Sequence, residues 1–350
     1  MHPRIGPQVQ AVILTPLRAF PEALSILVPP NSPIHQESDP EKIKAYATMV
    51  HHYLNRAYEE TELEQSGDTM KLLTAAFMSL GKYDRRLCLS VSDVENNIKE
   101  AHIGARGCLS SNITLQIPET NVWKMRWEET VGVSIKAVTN SGCLVARLSL
   151  ESYTNPEHMD NAGLWSHDLD GDINLLSPNM TAFDVDITCH GTDAVLKSVK
   201  QVLSQAMNLN ILTVQQIGPP LSFDFAELSS FIVSDSLEAM NLSNVWCKES
   251  DLVMFFNTHR DTLEHLWLYR IRIVGSWRSL VQWIRLNLTA LHTFGMDEVL
   301  DDEYQPDKND EPVPACNFDE VDDMQAALQG LLAKPERKES DEVEVRDLNN

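Results

Sequence analysis

Apolar residues recur at a fixed spacing along the second half of the chain. They occupy four positions of a segment that reads L-x-x-L-x-L-x-x-[IV], which begins at Leu209, Leu237, Leu263 and Leu291. The starts are therefore 28, 26 and 28 residues apart. Alternation of apolar and polar residues within each copy predicts a β-strand with one buried side. Weaker copies occur upstream at irregular spacing.

Helical patterns separate these predicted strands. Residues 192–208, 248–262 and 276–289 carry apolar side chains at steps of three and four, and Ser276 is suited to cap the last helix. A strand and a helix in each period is the unit of a leucine-rich repeat. The pattern predicts an α/β fold, a leucine-rich-repeat-like solenoid with parallel strands on the concave face and helices on the convex face. The alternative is an ordinary α/β domain whose strands are similar by coincidence.

The spacing of the copies also suggests a domain organisation. We predict one repeat domain over residues 1–300, regular over 180–300 and irregular over 1–179 with an insertion at 154–179. Residues 301–350 contain 16 acidic and 5 basic side chains. This composition predicts a mostly disordered acidic tail with a short amphipathic helix at residues 319–333.

The charge balance limits the classes of partner. The formal net charge is -23, so nucleic acid and anionic membrane surfaces are unfavourable partners, and a basic protein is favoured. The six cysteines form no C-x-x-C pair, and no secretory signal precedes the first strand. We expect a cytoplasmic or nuclear protein that is not secreted.

No catalytic motif is present in the sequence. The acidic run D-x-D-G-D at residues 168–172 lacks the glycine and glutamate positions of a calcium loop, so we interpret it as a solvated loop. We therefore expect no catalytic residues, no metal, no cofactor and no enzymatic activity.

Side chains that alternate with the buried positions should point out of the concave sheet. Trp267 and Tyr269 stand out among them, because exposed aromatic residues often anchor an interface. The alternative is that the helix predicted in the tail folds back over this pair. The predicted partner-binding residues of the concave face are His265, Trp267, Tyr269, Asn241, Ser243, Thr213, Gln215, Asp184, Asp186 and Asp297.

Three segments carry a resemblance to a known family. Residues 237–245 (LEAMNLSNV), residues 251–268 (DLVMFFNTHRDTLEHLWL) and the following Gly275-Ser276-Trp277 resemble the repeat region of fungal F-box-type proteins. The resemblance implies a substrate-recognition subunit of a ubiquitin ligase, with an unidentified protein target. A cullin-RING ligase adaptor is an implied partner if an F-box lies upstream, since none is found in this chain. The alternative is a non-ligase scaffold or a regulatory protein-interaction module.

Overall fold

Parallel β-strands and the helices between them form the molecule. The computed structural model describes residues 10–14, 39–83, 86–92, 127–151, 170–188, 192–217, 225–301, 316–318 and 324–333. The strands are β1 (Ala11–Leu14), β2 (Leu87–Ser92), β3 (Val145–Glu151), β4 (Ala182–Thr188), β5 (Ile211–Ile217), β6 (Ala239–Ser243), β7 (Trp246–Lys248), β8 (His265–Tyr269), β9 (Arg272–Val274), β10 (Thr293–Asp297), β11 (Leu300–Asp301) and β12 (Cys316–Phe318).

Helices of unequal length join most of these strands. They are α1 (Pro40–Gln65), α2 (Asp68–Gly81), α3 (Trp127–Ser141), α4 (Asp170–Leu176), α5 (Thr192–Gln205), α6 (Phe225–Ser229), α7 (Glu249–Thr258), α8 (Trp277–Asn287) and α9 (Met324–Ala333). Within the described ranges, none of them combines the length and apolar character that crossing a bilayer requires.

Nine strands form one sheet in the order β1-β2-β3-β4-β5-β6-β8-β10-β12. Every neighbouring pair is parallel except β10 and β12, which are antiparallel. The short strands β7, β9 and β11 form a second, parallel sheet. The four copies of the apolar segment, for which the repeat pattern predicts parallel strands, correspond to β5, β6, β8 and β10, and these strands are adjacent and parallel in chain order.

The apolar positions of the strands lie in one core. Leu212, Leu242, Leu266 and Phe294 are each 0% exposed, and they share a cluster with residues of α5, α7 and α8. Burial of a large apolar side chain contributes about 1.5 to 3 kcal/mol to the free energy of unfolding, so this apolar core is the main source of stability. Helices therefore cover one side of the sheet, and the alternating polar side chains form its other face.

The leucine-rich-repeat-like solenoid is the wrong description of this fold. The structure is a mostly parallel nine-stranded α/β sheet with helices of 5 to 26 residues, an antiparallel last strand and a second small sheet. An apolar L-x-x-L-x-L segment marks the buried side of any parallel strand that helices cover, so it does not distinguish the two architectures. The ordinary α/β domain that the sequence left open is the better description.

The C-terminal region returns to the sheet. Strand β12 pairs with β10, and α9 buries Met324, Leu328 and Leu331 beside α8, where Arg278 Nη1 donates to the Leu332 carbonyl at 3.1 Å. The helix predicted at residues 319–333 is thus found at Met324–Ala333, on the helical layer and away from Trp267. The rest of the predicted tail and residues 154–169 of the predicted insertion lie outside the described residues.

Candidate ligand-binding face

The polar side of the sheet presents its side chains in rows across the strands. The central row runs through Asp184 on β4, Thr213 on β5, Asn241 on β6, Trp267 on β8 and Gly295 on β10. Neighbouring strands lie about 4.8 Å apart, so each side chain of the row lies beside the side chain on the next strand. In-register pairing of parallel strands thus gathers polar and aromatic groups that are far apart in the chain.

Trp267 is the largest side chain of this row, and it is half-buried. Its indole stacks on the imidazole of His265, with ring centroids 5.8 Å apart and ring planes 13° apart. A Cβ atom at Gly295 would lie 2.6 Å from Cδ1 of Trp267, closer than two non-bonded carbon atoms approach in proteins. Only glycine on β10 therefore allows the indole to keep this position.

A shallow groove lies beside the indole. Its volume is about 240 Å³, and it is lined by Ile211, Leu212, Thr213, Ala239, Met240, Asn241 and Trp267. Small-molecule pockets in proteins span roughly 300 to 1,000 Å³, so this groove accepts one ring or one side chain and not a larger ligand.

The β4 side of the face is closed by an ion pair. Nε and Nη2 of Arg147 donate to the two carboxylate oxygens of Asp184 at 2.6 and 3.0 Å. Asp184 is 4% exposed and Asp186 is 5% exposed. A buried carboxylate held by a bidentate guanidinium has little capacity for an external ligand, so Asp184 acts as a structural element of this face.

The carboxyl ends of the strands carry a charged rim. Arg270 lies over the ring of Tyr269 at 4.9 Å, and its Nε donates to Glu298 at 2.6 Å. Asn244, Arg270 and Glu298 directly follow β6, β8 and β10, and all three have positive φ angles of 57°, 52° and 50°. At each of these residues the left-handed backbone turns the chain out of the sheet. The backbone N–H of Arg270 donates to the Asp297 carbonyl at 2.9 Å.

The structure places all ten predicted site residues on strands of the polar face, but it does not gather them into one site. Thr213, Asn241, His265 and Trp267 meet at the groove, while Asp184 and Asp186 are buried on the β4 side. Gln215, Ser243, Tyr269 and Asp297 form the next row toward the rim.

The aromatic neighbour that Trp267 contacts is His265, on which its indole stacks. Sequence reasoning also missed Gly295 and the groove residues Ile211 and Ala239. The signal for Gly295 was available, because Gly295 takes the same position in its copy of the apolar segment as Trp267 does in the preceding copy, and glycine inside a strand often marks a close approach.

In the part of the chain that the structure describes, no group of three or more His, Cys, Asp or Glu side chains could hold a metal ion. Residues 170–172 of the acidic run begin α4 and are thus helical, whereas a loop was predicted there; residues 168 and 169 lie outside the described residues. Cys247 is buried, and burial raises the pKa of its thiol to about 12, which disfavours the nucleophilic thiolate.

Comparison with known proteins assigns no family. No family model matches the chain, and no curated protein matches it. Among solved structures, the chain is similar to D-psicose 3-epimerase in the presence of D-fructose, with 9% sequence identity over 66% of this chain and 69% of that chain. The TM-score of this match is 0.18, which is too low to carry an argument about the fold, reaction or substrate of this chain.

Two functional expectations from the sequence are corrected. The substrate-recognition subunit of a ubiquitin ligase, like the non-ligase scaffold or interaction module, relied on a repeat solenoid, and the nine-stranded α/β sheet replaces that solenoid. The expectation that the protein is not an enzyme is also withdrawn, since a parallel α/β sheet is compatible with many reactions and does not by itself exclude one. The resemblance to fungal F-box-type proteins stays a prediction that no match supports.

Proposed function

We propose that the polar face of β5, β6, β8 and β10 is a ligand-binding site, in which the groove beside Trp267 receives one ring or one side chain of the ligand. The observation that carries this proposal is the half-buried indole of Trp267, held between His265 and Gly295 as a wall of an open groove. A tryptophan in a protein core is normally buried completely, whereas a tryptophan at an interface or in a ligand site often stays partly exposed.

The polar residues around the groove supply orientation. Thr213 offers a hydroxyl and Asn241 an amide with both donors and an acceptor, and each lies in register beside the other. An apolar wall with a few convergent polar groups is the usual composition of a small-ligand site. The expectation of an unidentified protein partner, with no nucleic acid and no membrane, stays a proposal alongside this one.

The test uses the full chain labelled with 5-fluorotryptophan, which gives one fluorine NMR signal for each of its seven tryptophans. Trp267→Phe identifies the signal of Trp267. Two small probes are titrated separately, D-glucose as a neutral ring and N-acetyl-arginine amide as a cationic side chain. We expect at least one probe to move the Trp267 signal saturably and to leave the other six in place.

A matched pair of glycine variants controls for the position of the indole. Gly295→Ala should move the indole and weaken the probe's effect, since the added Cβ would lie 2.6 Å from Cδ1 of Trp267. Gly171→Ala places a Cβ in open space on α4 and should change nothing. If neither probe moves the Trp267 signal in the folded wild-type chain, the groove is not a binding site.

For the compartment, we propose the cytoplasm or nucleus. Support comes from Cys143 and Cys247, which are free buried thiols, as expected where thiols stay reduced. Fluorescence microscopy of the tagged full chain tests this, and a signal in the secretory pathway would contradict it.

A further inference from the structure

The indole of Trp267 contrasts with three other aromatic rings of the molecule in what lies over it. Three rings are each covered by an arginine of the chain: Tyr269 by Arg270 at 4.9 Å, Trp246 by Arg272 at 5.6 Å and Trp277 by Arg278 at 4.6 Å. Among the described residues, no lysine or arginine lies over Trp267. Its ring therefore keeps the negative π-face that attracts cations.

The charges around the groove favour a positive occupant. Glu238 directly precedes the groove residue Ala239, and Glu264 directly precedes His265, which stacks on Trp267. Among the described residues, Arg147 and Arg270 of this face are already paired, Arg147 with Asp184 and Arg270 with Glu298. With a net charge of -23, the whole chain also attracts cations over long range.

We infer that the groove beside Trp267 binds an arginine side chain on a basic segment of a partner protein. This inference rests on the proposed function. A planar guanidinium stacks on an indole while its N–H groups donate hydrogen bonds within the guanidinium plane. Asn241 and Thr213 offer oxygen acceptors beside the indole. A lysine ammonium has no plane to stack and is more strongly hydrated.

Charge also disfavours two other occupants of the face. A second copy of this chain has the same net charge of -23 and is repelled. Nucleic acid is repelled for the same reason. A basic peptide meets an acidic surface, and its backbone can follow the polar row while one side chain enters the groove.

The experiment compares three acetylated and amidated pentapeptides that differ at one central residue: arginine, lysine or citrulline, each flanked by glycine and serine. Citrulline has nearly the shape of arginine and no charge. Binding to the full chain is measured by isothermal titration calorimetry, with D-glucose as a further probe. We expect the arginine peptide to bind at least about tenfold more tightly than the citrulline peptide, because the cation–π attraction is lost.

Variants locate the binding. Trp267→Ala should weaken the arginine peptide by about tenfold or more. Tyr58→Ala removes an aromatic residue that is 61% exposed on α1, and it should leave binding unchanged. Higher salt should weaken the arginine peptide and not glucose, since only a charged ligand is screened.

The outcomes separate this inference from the proposed function. Glucose that binds at Trp267 without the arginine peptide would overturn the inference and leave the ligand site standing. Equal affinity for arginine and citrulline peptides would also overturn it, because charge would then play no part. If neither the peptides nor glucose bind the folded wild-type chain, the inference and the proposed function are both overturned.

Discussion

His259 is a histidine that the fold keeps away from water. It is 3% exposed, its ring lies 4.6 Å from that of Phe255, and its Nδ1 has no hydrogen-bond partner among the described residues. Burial lowers the pKa of His259 below its ordinary value of 6.5, and the nearby Asp235 opposes the shift only in part. Burial thus favours the neutral ring over the charged ring in the folded protein.

The pH dependence of stability follows from this shift. The unfolded chain takes up a proton near pH 6.5, while folded His259 resists it, so its contribution to stability is present above pH 6.5 and is lost as the pH falls toward and through the lower folded pKa. His259→Phe, which keeps an aromatic ring beside Phe255, should flatten this dependence. Urea unfolding at pH values from 5 to 8, about the range in which histidine titrates, measures it. Parallel pH profiles for the variant and the wild type would contradict the assignment.

Trp267 and Gly295 show how two residues define a surface feature together. The indole needs the missing Cβ of Gly295, and the groove needs the indole as a wall. Neither residue alone would have indicated a site, because their Cα atoms are brought together only by the in-register pairing of β8 and β10.

At the scale of elements, a side chain of α7 accepts a hydrogen bond from the backbone at the start of α8. Oε2 of Glu249, the first residue of α7, accepts the backbone N–H of Ser276 at 2.8 Å. A Cβ at Gly275, where φ is +132°, would lie 2.6 Å from the same oxygen. Glycine thus permits the close approach by which one helix completes the hydrogen bonding at the start of the next.

This contact predicts a difference between two substitutions. Glu249→Ala should lower the free energy of unfolding by about 1 to 2 kcal/mol, because the N–H of Ser276 loses a charged acceptor. Glu249→Gln keeps an oxygen there and should lose less. Urea unfolding followed by circular dichroism gives the values, with the exposed Ser250→Ala as control. An unfolding midpoint for Glu249→Ala equal to that of the wild type would rule out this role.

Periodicity predicted the regular elements well. It gave β5, β6, β8 and β10 with their order and direction, because each has two buried apolar positions that alternate with polar ones. It missed β7, β9 and β11, whose two or three residues are too short to show a period. It also missed β12, since pairing with β10 is set by the return of the chain and not by any local pattern.

The candidate site was predicted in part for the same reason. Alternation placed Thr213, Asn241 and Trp267 on one face, but it does not give the orientation of the Trp267 ring, which forms one side of the groove. The fold class was mistaken because the repeated apolar segment reports burial, and burial is common to several parallel α/β architectures.

At the scale of the whole molecule, the C-terminal return completes the end of the core. Leu328 is 0% exposed in α9, beside α8. Leu328→Asp buries an unpaired charge, which costs several kcal/mol, so we expect α9 to detach. Hydrogen exchange at Met324–Ala333 should then become fast while the amides of β4, β5 and β6 stay protected. The control is Gln329→Asp, which changes an exposed neighbour, and slow exchange in α9 of Leu328→Asp would show that the helix does not depend on this contact.

Strand order that follows chain order has a consequence for the speed of folding. From β4 to β10 each strand of the large sheet meets the next strand of that sheet along the chain, so pairing closes short loops at a small entropic cost. Longer segments, residues 15–86 and 93–144, separate β1 from β2 and β2 from β3. The contact order is therefore lowest in the half that carries Trp267, and the groove can form before the N-terminal strands have joined the sheet.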